Sequence, residues 1–450
     1  MKQHAYLILL LAFPVIAAAQ SLRPYSVETL WKTTGIQSDV LYVSPAEAVL
    51  PVRETKGYAV VMMTDQVQEK WRTRIDGTLL GICKFQSNIL AIYETQRAIH
   101  AALLDPSSGR TLQTKELLKT GPSGQVLTEL HKNAAGDFQQ LLIRHVNVNQ
   151  QTEKIRTFNI AAGLQATETA SIEAGKDVAY HGAIALANSL FVLWMDKRSS
   201  IILQQYNNGE AVARLSTQLR HDGTSPVSLS AVINPARTTD VLCFVKYKNE
   251  SRIIRTIFFD LASNEVKFTD DVVDRNYREK IQDIAEVVGS KKQIPSAGFD
   301  NLSVVGATFY NNLPVVIKEV SAPGGNPPYS GAAIISVLNR DLTAQKHFLI
   351  DKLFRSNMYL PVLSHRTVGN KLQVLASNSK FVGASTLLFG EIDLDKLKWV
   401  RLAPVMTSRN TDPNSNPMDG NAMLWFGDKP LVPHHMGRLG YRYQSLALNE

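Results

Sequence analysis

A short apolar strand motif recurs along this chain at a nearly constant interval. Its first copies start at positions 89, 140, 190 and 241, which lie 51, 50 and 51 residues apart. Further copies start at positions 313 and 372, and two more at positions 58 and 430. Self-similarity at such a period is typical of repeat architectures, in which each unit stacks on its neighbours. The period therefore constrains the fold more than any single motif does.

Each copy of the motif has the same neighbours in the same order. An apolar strand precedes it, as GICKFQSN does before Ile89, and a third strand such as AIHAALLD follows it. A tight polar turn and a more polar fourth strand complete the unit. Branched aliphatic and aromatic residues dominate these runs and turn residues separate them, which is typical of antiparallel strands. Each unit is therefore predicted to be a four-stranded antiparallel sheet.

A four-stranded unit of this kind cannot bury both of its faces alone. Units stacked around an axis bury both faces and protect their edges. The chain is therefore predicted to be all-β, a seven- or eight-bladed β-propeller of four-stranded antiparallel blades. An array of β-sandwiches is the alternative. The last unit ends after its third strand, and residues 25–34 (YSVETLWKTT) are predicted to supply the fourth strand and close the ring.

One hairpin resembles those of a known superfamily. The segment HAALLDPSSGRTL at 100–112 is similar to the Asp-x-x-Ser/Thr-Gly hairpin of quinoprotein-like β-propellers. The segment KWRTRIDGTLLG at 70–81 resembles the same hairpin. That superfamily includes envelope scaffolds that hold no cofactor. Leu112 stands where its repeats carry a tryptophan. The resemblance therefore implies the propeller fold without a bound quinone. We expect no cofactor, and a bound calcium ion is the alternative.

The N-terminal segment predicts export. Lys2 is followed by the apolar run Tyr6 to Ile16, which is too short to span a membrane, and by three alanines. We interpret residues 1–19 as a signal peptide cleaved near Ala19 and residues 20–450 as the propeller, secreted or periplasmic. A buried N-terminal helix is the alternative. No cysteine lies near the cleavage point, so a lipoprotein is not expected, and no later apolar run is long enough for a transmembrane segment.

The charge distribution bears on the class of partner, and the cysteine positions bear on disulfide formation. The formal net charge is +8, but the lysines and arginines are dispersed instead of forming blocks. This distribution does not predict nucleic-acid binding. Cys83 and Cys243 lie inside apolar strands in different units, so we expect two buried thiols and no disulfide. We expect a monomer whose partner is an envelope or extracellular protein or glycan.

An insertion at about 270–296 interrupts the period. Asp274 could cap a helix that continues to about Val288 and ends at Gly289. The apolar stripe of this helix would consist of Tyr277, Ile281, Ile284 and Val288. We predict one short helical insertion that packs on the rim of the propeller. A lid or a docking element is the alternative.

Three histidines stand near the ends of presumed inner strands. They are His131, His181 and His365. If the units keep register, these side chains face the central channel, where imidazoles can bind a metal or transfer protons. The alternative is that each histidine satisfies backbone groups of a neighbouring blade.

Loops between strands supply the remaining candidates. The candidates for partner binding are Asn326 and Tyr329 in the loop at 322–331, and His434, His435 and Arg438 in the last unit. A second loop, at 407–421, has oxygen-bearing side chains at alternate positions. Its candidate calcium ligands are Asp412, Asn414, Asn416 and Asp419. Pro417 stands where a calcium loop normally has glycine, so an ordinary turn-rich connector is the alternative.

No standard catalytic motif is present. The sequence has no phosphate-binding loop, zinc helix or nucleophile elbow. Glu391, Asp393 and Asp395 alternate on one strand, where paired carboxylates could do glycosidase chemistry but a solvated face is the simpler interpretation. We therefore expect this chain to be an exported binding or scaffold module and not an enzyme. The alternative is a carbohydrate-active hydrolase or lyase with its site at one mouth of the propeller.

Removal of residues 20–34 tests the predicted closure. A chain that starts at residue 35 lacks the strand that would complete the last blade, so the ring should open more easily. We expect its thermal unfolding midpoint to fall by more than about 3 °C relative to the chain that starts at residue 20. Equal midpoints in a calorimetric comparison of the two chains would rule out this closure.

Overall fold

The computed structural model describes most of the region assigned to the propeller. The described residues are 35–36, 40–54, 57–96, 98–120, 125–133, 135–147, 152–175, 177–186, 189–219, 226–247, 250–272, 285–287, 301–322, 329–350, 352, 354–355, 363–381, 384–409, 418, 420, 423–435, 441–446 and 448. Their regular elements are all strands, and they include no α-helix. The 34 strands form eight sheets, of which seven have at least four strands and the last has three.

The first four sheets, called blades 1 to 4, follow one another along the chain. Blade 1 contains β1 (Gly35–Ile36), β2 (Leu41–Ser44), β3 (Glu47–Glu54), β4 (Gly57–Thr64) and β5 (Glu69–Ile75). Blade 2 contains β6 (Thr78–Phe85), β7 (Asn88–Thr95), β8 (Ala98–Leu104) and β9 (Thr111–Lys119). Blade 3 contains β10 (Gln125–Lys132), β11 (Phe138–Asn147), β12 (Thr152–Ala161) and β13 (Gln165–Glu173). Blade 4 contains β14 (Val178–Leu186), β15 (Ser189–Asp196), β16 (Ser200–Asn207) and β17 (Glu210–Gln218).

Blades 5 to 8 continue in the same way. Blade 5 contains β18 (Pro226–Ile233), β19 (Asp240–Tyr247), β20 (Glu250–Asp260) and β21 (Glu265–Val272). Blade 6 contains β22 (Ala285–Val287), β23 (Asn301–Tyr310), β24 (Leu313–Ala322), β25 (Tyr329–Leu338), β26 (Ala344–Ile350) and β27 (Phe354–Arg355). Blade 7 contains β28 (Leu363–Val368), β29 (Lys371–Phe381), β30 (Ala384–Asp393) and β31 (Lys398–Arg409). Blade 8 contains β32 (Leu424–Phe426), β33 (Lys429–His435) and β34 (Tyr441–Ser445).

The strands of a blade are numbered here from the innermost one outward. The second strand in this order explains the sequence period. In β7, Ile89 and Ala91 pack in the core shared with blade 1, while Leu90 and Ile92 pack in the core shared with blade 3. Successive side chains of a strand point to opposite faces. Because both faces of this strand are covered from Ile89 to Tyr93, every position in that stretch is apolar, and it appears in the sequence as a short continuous apolar run.

The blades form a closed ring. A separate apolar core joins each blade to the next, from blade 1 through blade 8. The ring is closed by the core between blades 8 and 1, where Leu431 and Tyr443 pack with Leu50 and Val61. The first strands of blades 2 to 5 contact one another in sequence and so lie innermost. This arrangement is the predicted β-propeller, with eight blades.

The recurring motif marks the second strand in seven of the eight blades. In blade 1, however, the copy that starts at Tyr58 is β4, which is the third strand. The second strand there is β3, whose apolar run VLPV does not match the repeat. Blade 1 looks shortened in the sequence because its first strand is interrupted, and β1 and β2 both pair with β3. Residues 25–34 lie outside the described residues, so their role in closure stays a prediction.

The predicted helical insertion is wrong where the structure can test it. Residues Ala285–Val287 form β22, which pairs in parallel with β26 along His347–Leu349. Residues 270–272 belong to β21, and positions 273–284 and 288–296 lie outside the described residues. Without β22, the apolar strand β26 would be an unpaired outer edge at these positions, and proteins usually cover such edges. A helical apolar stripe could not reveal that requirement.

The hairpin at 100–112 has the predicted tight turn. The Asp105 carboxylate accepts hydrogen bonds from the backbone and hydroxyl groups of Ser107 and Ser108, and these bonds lower the pKa of Asp105 to about 2. Trp71 of blade 1 packs against Gly109 of this hairpin, and its indole N–H donates to the Pro106 carbonyl at 2.9 Å. A tryptophan from the neighbouring blade therefore covers this hairpin.

Both cysteines are buried as predicted. Cys83 lies in the core between blades 2 and 3, and Cys243 lies in the core between blades 4 and 5. The two residues form no disulfide. Burial raises the pKa of the Cys243 thiol well above its usual value, so this residue acts as a small apolar side chain.

Replacement of Gly109 by alanine tests the contact between blades 1 and 2. Gly109 has a φ of +71°, and an added Cβ would lie 2.5 Å from the Trp71 ring. Gly163 is a matched control, because its φ is +72° and its Cβ would meet nothing within 4 Å. We expect Gly163→Ala to cost about 1 kcal/mol of unfolding free energy through backbone strain, and Gly109→Ala a further 1–3 kcal/mol or so. Equal losses in denaturant titrations would contradict this packing.

Candidate functional site

The candidate loops all join strands at one face of the propeller. We call this the upper face, defined by the loops between second and third strands and by the connections between blades. The loop at 322–331 joins β24 to β25, the loop at 407–421 joins β31 to β32, and the segment around Arg438 joins β33 to β34. Each is thus a connection of the upper-face type. Side chains that interact with a partner are concentrated on loops of this kind.

Several of the predicted residues cannot be placed. Asn326, Arg438, Asp412, Asn414, Asn416 and Asp419 lie outside the described residues. Tyr329 begins β25, where its backbone is in register with Ala322 and Arg355. His434 and His435 end β33 and are in register with Arg442 and Tyr441. These three positions therefore flank upper-face loops.

An open cleft lies on the upper face between blades 3 and 4. Its volume is about 450 Å³. Its lining residues come from three connections: Val146, Asn147, Thr152 and Glu153 around the β11–β12 loop, Asp177, Val178 and Ala179 at the entry to blade 4, and Met195, Asp196 and Lys197 at the end of β15. A smaller cavity of about 80 Å³ lies between the same blades near the β16–β17 turn. The junction of blades 3 and 4 therefore has an open cleft at its upper end and a small cavity near the β16–β17 turn.

Strand alternation places Arg144 on the strand face that leads from the core to this cleft. Arg144 and Val146 share one face of β11 with Leu142, and Leu142 packs in the core between blades 3 and 4. The guanidinium of Arg144 donates to the Glu153 carboxylate at 3.2 Å. Glu153 also accepts a hydrogen bond from the backbone N–H of Tyr180 at 3.2 Å. The two blades are thus joined by a polar network above their apolar core.

Tyr180 extends this network to the innermost strand of blade 3. Its hydroxyl donates to both oxygens of Glu129 at 2.9 Å, and its ring lies 4.8 Å from the Arg144 guanidinium carbon. His131 Nε2 lies 3.5 Å from the same carboxylate. We call these residues, with Glu153, the junction cluster: Glu129, His131, Arg144, Glu153 and Tyr180. The cluster brings a carboxylate, an imidazole and a phenol together beside the channel.

The environment shifts the pKa values of two members of this cluster, Tyr180 and Glu129. Burial raises the pKa of Tyr180 far above its usual value, and the Glu129 carboxylate raises it further. Burial also raises the pKa of Glu129, but the nearby His131 and Tyr180, together with Arg144, outweigh burial and lower it below the usual value. Near neutral pH, the cluster therefore holds a neutral phenol that donates to an ionised carboxylate.

The three predicted histidines are not all brought together. His181 is the extra residue of a β-bulge in β14, between Tyr180 and Gly182, so it lies beside the junction cluster. Burial lowers the pKa of His181, and the Arg144 charge lowers it while Glu153 raises it. His131 and His181 therefore share the junction of blades 3 and 4.

His365 has a different role in the fold. It lies in blade 7 and packs on Gly306 of blade 6, where an added Cβ would lie 1.9 Å from His365 Nε2. Burial lowers the pKa of His365 to about 4, so its imidazole is neutral. This histidine fills the junction of blades 6 and 7. Among the described residues, no group of three His, Cys, Asp or Glu side chains could hold a metal ion.

The alternating carboxylates of β30 are structural. Glu391 and Asp393 are buried, so a solvated face is the wrong interpretation for these two. Glu391 accepts hydrogen bonds from Lys371 at 2.7 Å and from Gln373 at 2.8 Å. Asp393 accepts backbone hydrogen bonds from Asp395 and Lys396, each at 3.0 Å, and holds the β30–β31 turn. Neither carboxylate is placed for glycosidase chemistry.

Sequence reasoning missed most of the junction cluster. Glu129 and His131 are two apart on one strand, and this spacing could have paired them. Arg144 and Glu153 lie on successive strands of the same unit, so their pairing follows from hairpin register. Tyr180 lies 51 residues after Glu129, one repeat period away. Equivalent spacing in the repeat was the only available signal for that contact.

Comparisons with known proteins bear on the fold alone. No protein-family model and no curated protein sequence matches the chain. Among similar solved structures, the WD40 domain of SCAP from fission yeast has 10% identity and a TM-score of 0.48, and the match covers 96% of this chain and 99% of that chain. Saccharomyces cerevisiae Sqt1 has 8% identity and a TM-score of 0.48, and the match covers 93% of this chain and 97% of that chain. BamB from Moraxella catarrhalis has 9% identity and a TM-score of 0.41, and the match covers 92% of this chain and 94% of that chain.

The TM-scores of these three structures lie below 0.5, and the similarities indicate no specific family. The order of strands in the sheets and the ring of apolar cores carry the assignment of the fold. In the part of the chain that the structure describes, no helix is long and apolar enough to cross a membrane.

Replacement of Tyr180 by phenylalanine tests the junction cluster. The variant removes the hydrogen bond to Glu129 but keeps the ring in the core. We expect a loss of about 1 kcal/mol in unfolding free energy at pH 7, less than for a fully buried charged bond because Glu129 is partly exposed. The pKa of Glu129 should rise toward its usual value, as measured by carbon NMR.

The stability that the Tyr180–Glu129 hydrogen bond contributes should change with pH in a defined direction. A carboxyl whose pKa is lowered by folding contributes stability above its unfolded pKa, and this contribution is lost as pH falls through its folded pKa. The cost of Tyr180→Phe should therefore shrink under acidic conditions. In a double-mutant cycle, Tyr180→Phe should cost little once Glu129→Gln is present. An unchanged cost in either comparison would show that the bond contributes nothing.

Proposed function

We propose that this chain is an exported β-propeller that binds a protein or glycan partner at its upper face, in the cleft between blades 3 and 4. The observation that carries the proposal is the cleft itself, at about 450 Å³. This volume lies within the range of roughly 300–1,000 Å³ that is usual for ligand sites. A cleft of this size can admit a few side chains or a sugar unit of a larger partner.

The walls of the cleft support recognition. Val146, Val178 and Met195 supply apolar contact area, while Glu153 and Asp177 supply hydrogen-bond acceptors. Binding sites typically combine an apolar lining with a few polar groups that fix orientation. The walls lie at the ends of strands in two packed blades, so a partner would meet a largely preformed surface. Such preorganisation reduces the entropic cost of association.

Export rests on the N-terminal sequence. The charged residue Lys2, the short apolar run and the alanines at 17–19 have the order of a signal peptide. On this basis the mature chain, as a monomer without a cofactor, acts in the periplasm or outside the cell. Its partner is then an envelope or extracellular molecule.

One observation favours a second candidate, a carbohydrate-active enzyme. Glu129 and His131 lie 3.5 Å apart beside the channel, and Tyr180 donates to Glu129. A carboxylate and an imidazole at this distance can exchange a proton with a bound substrate. Retaining or inverting glycosidases need a second carboxyl group at a defined separation. Glu153, which also bonds to Tyr180, is the candidate for that role.

Two tryptophan variants in blade 4 test the binding proposal. Ala179 is exposed in the cleft, and Ala211 is exposed on the outer strand β17 of the same blade. Ala179→Trp should fill the cleft and abolish photo-crosslinking to envelope proteins or labelling on a glycan array, while Ala211→Trp should retain both. The wild-type protein is also incubated with the glycan panel. Binding that survives Ala179→Trp contradicts the proposed site, and glycan turnover abolished by Glu129→Gln supports the enzyme instead.

A further inference from the structure

We infer that the cleft between blades 3 and 4 receives a lysine or arginine side chain, flanked by an apolar residue, from an extended segment of a partner protein. This inference rests on the proposed function and specifies the partner of the same site. It follows from the charge of the cleft walls, the apolar surface between them and the exposure of the ion pair between Asp177 and Lys197 at the rim.

The charged residues among the described lining residues are mainly acidic. Three carboxylates line the cleft, those of Glu153, Asp177 and Asp196, against the single cation Lys197. The whole chain has the opposite sign, with a formal net charge of +8. The general field of the protein therefore repels cations, and the preference for a cation is local to this cleft. Charge complementarity of this kind selects partners and speeds their association.

The three carboxylates differ in how readily they can bind an incoming cation. Glu153 is bonded to Arg144, and Asp196 accepts backbone hydrogen bonds from Arg198 and Ser200 in its turn. Asp177 pairs with Lys197 at 2.7 Å, but their side chains are 78% and 66% exposed. An exposed pair of this kind is weak, because water and salt screen it. An incoming ammonium or guanidinium group can therefore replace Lys197 at Asp177.

The apolar lining matches the rest of such a segment. Val146 lies on the blade 3 side of the cleft, and Val178 and Met195 lie on the blade 4 side. The methylene stem of lysine or arginine buries itself along apolar surface while its charged head remains at the polar rim. Methionine adapts to varied shapes, so Met195 can accommodate a neighbouring apolar residue. An anionic ligand, such as an acidic sugar, would instead be repelled by the carboxylates.

Selection from a phage-displayed heptapeptide library tests the occupant while the natural partner is still unidentified. The full mature protein is the bait, and Ala179→Trp is used for counter-selection. We expect the enriched peptides to carry lysine or arginine beside an apolar residue. Enrichment of peptides with no excess of cationic residues overturns the inference. So does a selection that yields no peptide while glycans label the cleft.

Variants at the rim then give effects of opposite sign on the affinity of a selected peptide, measured by fluorescence anisotropy. Asp177→Asn should weaken binding by at least about threefold, as expected for loss of an exposed ion pair. Lys197→Met should strengthen binding, because it removes the competing cation. Replacement of the peptide's lysine by norleucine should weaken binding to the wild-type protein but make little difference with Asp177→Asn.

Glu265 provides the matched control. Its carboxylate is exposed and pairs with Lys267 at 3.1 Å on blade 5, away from the cleft. Glu265→Gln should leave the affinity unchanged, so an equal loss with Glu265→Gln and Asp177→Asn overturns the inference. If a natural partner crosslinks in the cleft but neither Asp177→Asn nor Lys197→Met changes its affinity, the proposed function stands and the cationic occupant is wrong.

Discussion

Packing of apolar faces between neighbouring blades is the interaction on which the structure depends. Each blade has an apolar core on both sides, and the core between blades 8 and 1 completes the circle. A fully buried aliphatic side chain contributes roughly 1.5–3 kcal/mol, whereas an exposed ion pair contributes about 0–1 kcal/mol. The many buried side chains of these cores therefore hold the ring together, and surface charges are left to distinguish one face from another.

Polar contacts at the lower face, opposite the upper face, reinforce this packing. Arg340 of blade 6 donates to Asp240 and Asp260 of blade 5, with its shortest contact at 2.6 Å. Tyr310 of blade 6 donates to Asp395 of blade 7 at 2.5 Å. Asp240 is fully buried, and a buried charge of this kind is tolerated only when it is paired. These turns therefore serve mainly to fix blades against one another.

The junction of blades 3 and 4 differs from this pattern. Its polar groups reach from the upper rim, through Glu153 and Arg144, to Glu129 beside the channel. A polar network costs desolvation free energy that an apolar core would avoid. Its position beside an open cleft is the reason we propose it as a binding surface as well as a contact between blades. The same geometry supports both candidate functions, because recognition and proton transfer each need charged groups held at fixed distances.

The sequence predicted the architecture well because its signals are local. The alternation of side chains within a strand and the period of the strand motif depend only on nearby residues, so the four-stranded units and the buried cysteines followed directly. Blade 1 was less clear because its first strand is interrupted, and β22 was mistaken for helix because edge protection depends on strands more than 50 residues away. Local patterns carry no information about such pairing.

The candidate site was accessible to the sequence only in part. Of the three candidate histidines, His131 and His181 lie at the junction of blades 3 and 4, whereas His365 fills the contact between blades 6 and 7. The sequence by itself determined which strands form, how they group into blades and which faces are apolar. Only the tertiary structure decided which blades meet across a cleft and which charges line it. The reason is that contacts between sheets depend on their relative twist and register, and alternation within each strand does not specify either one.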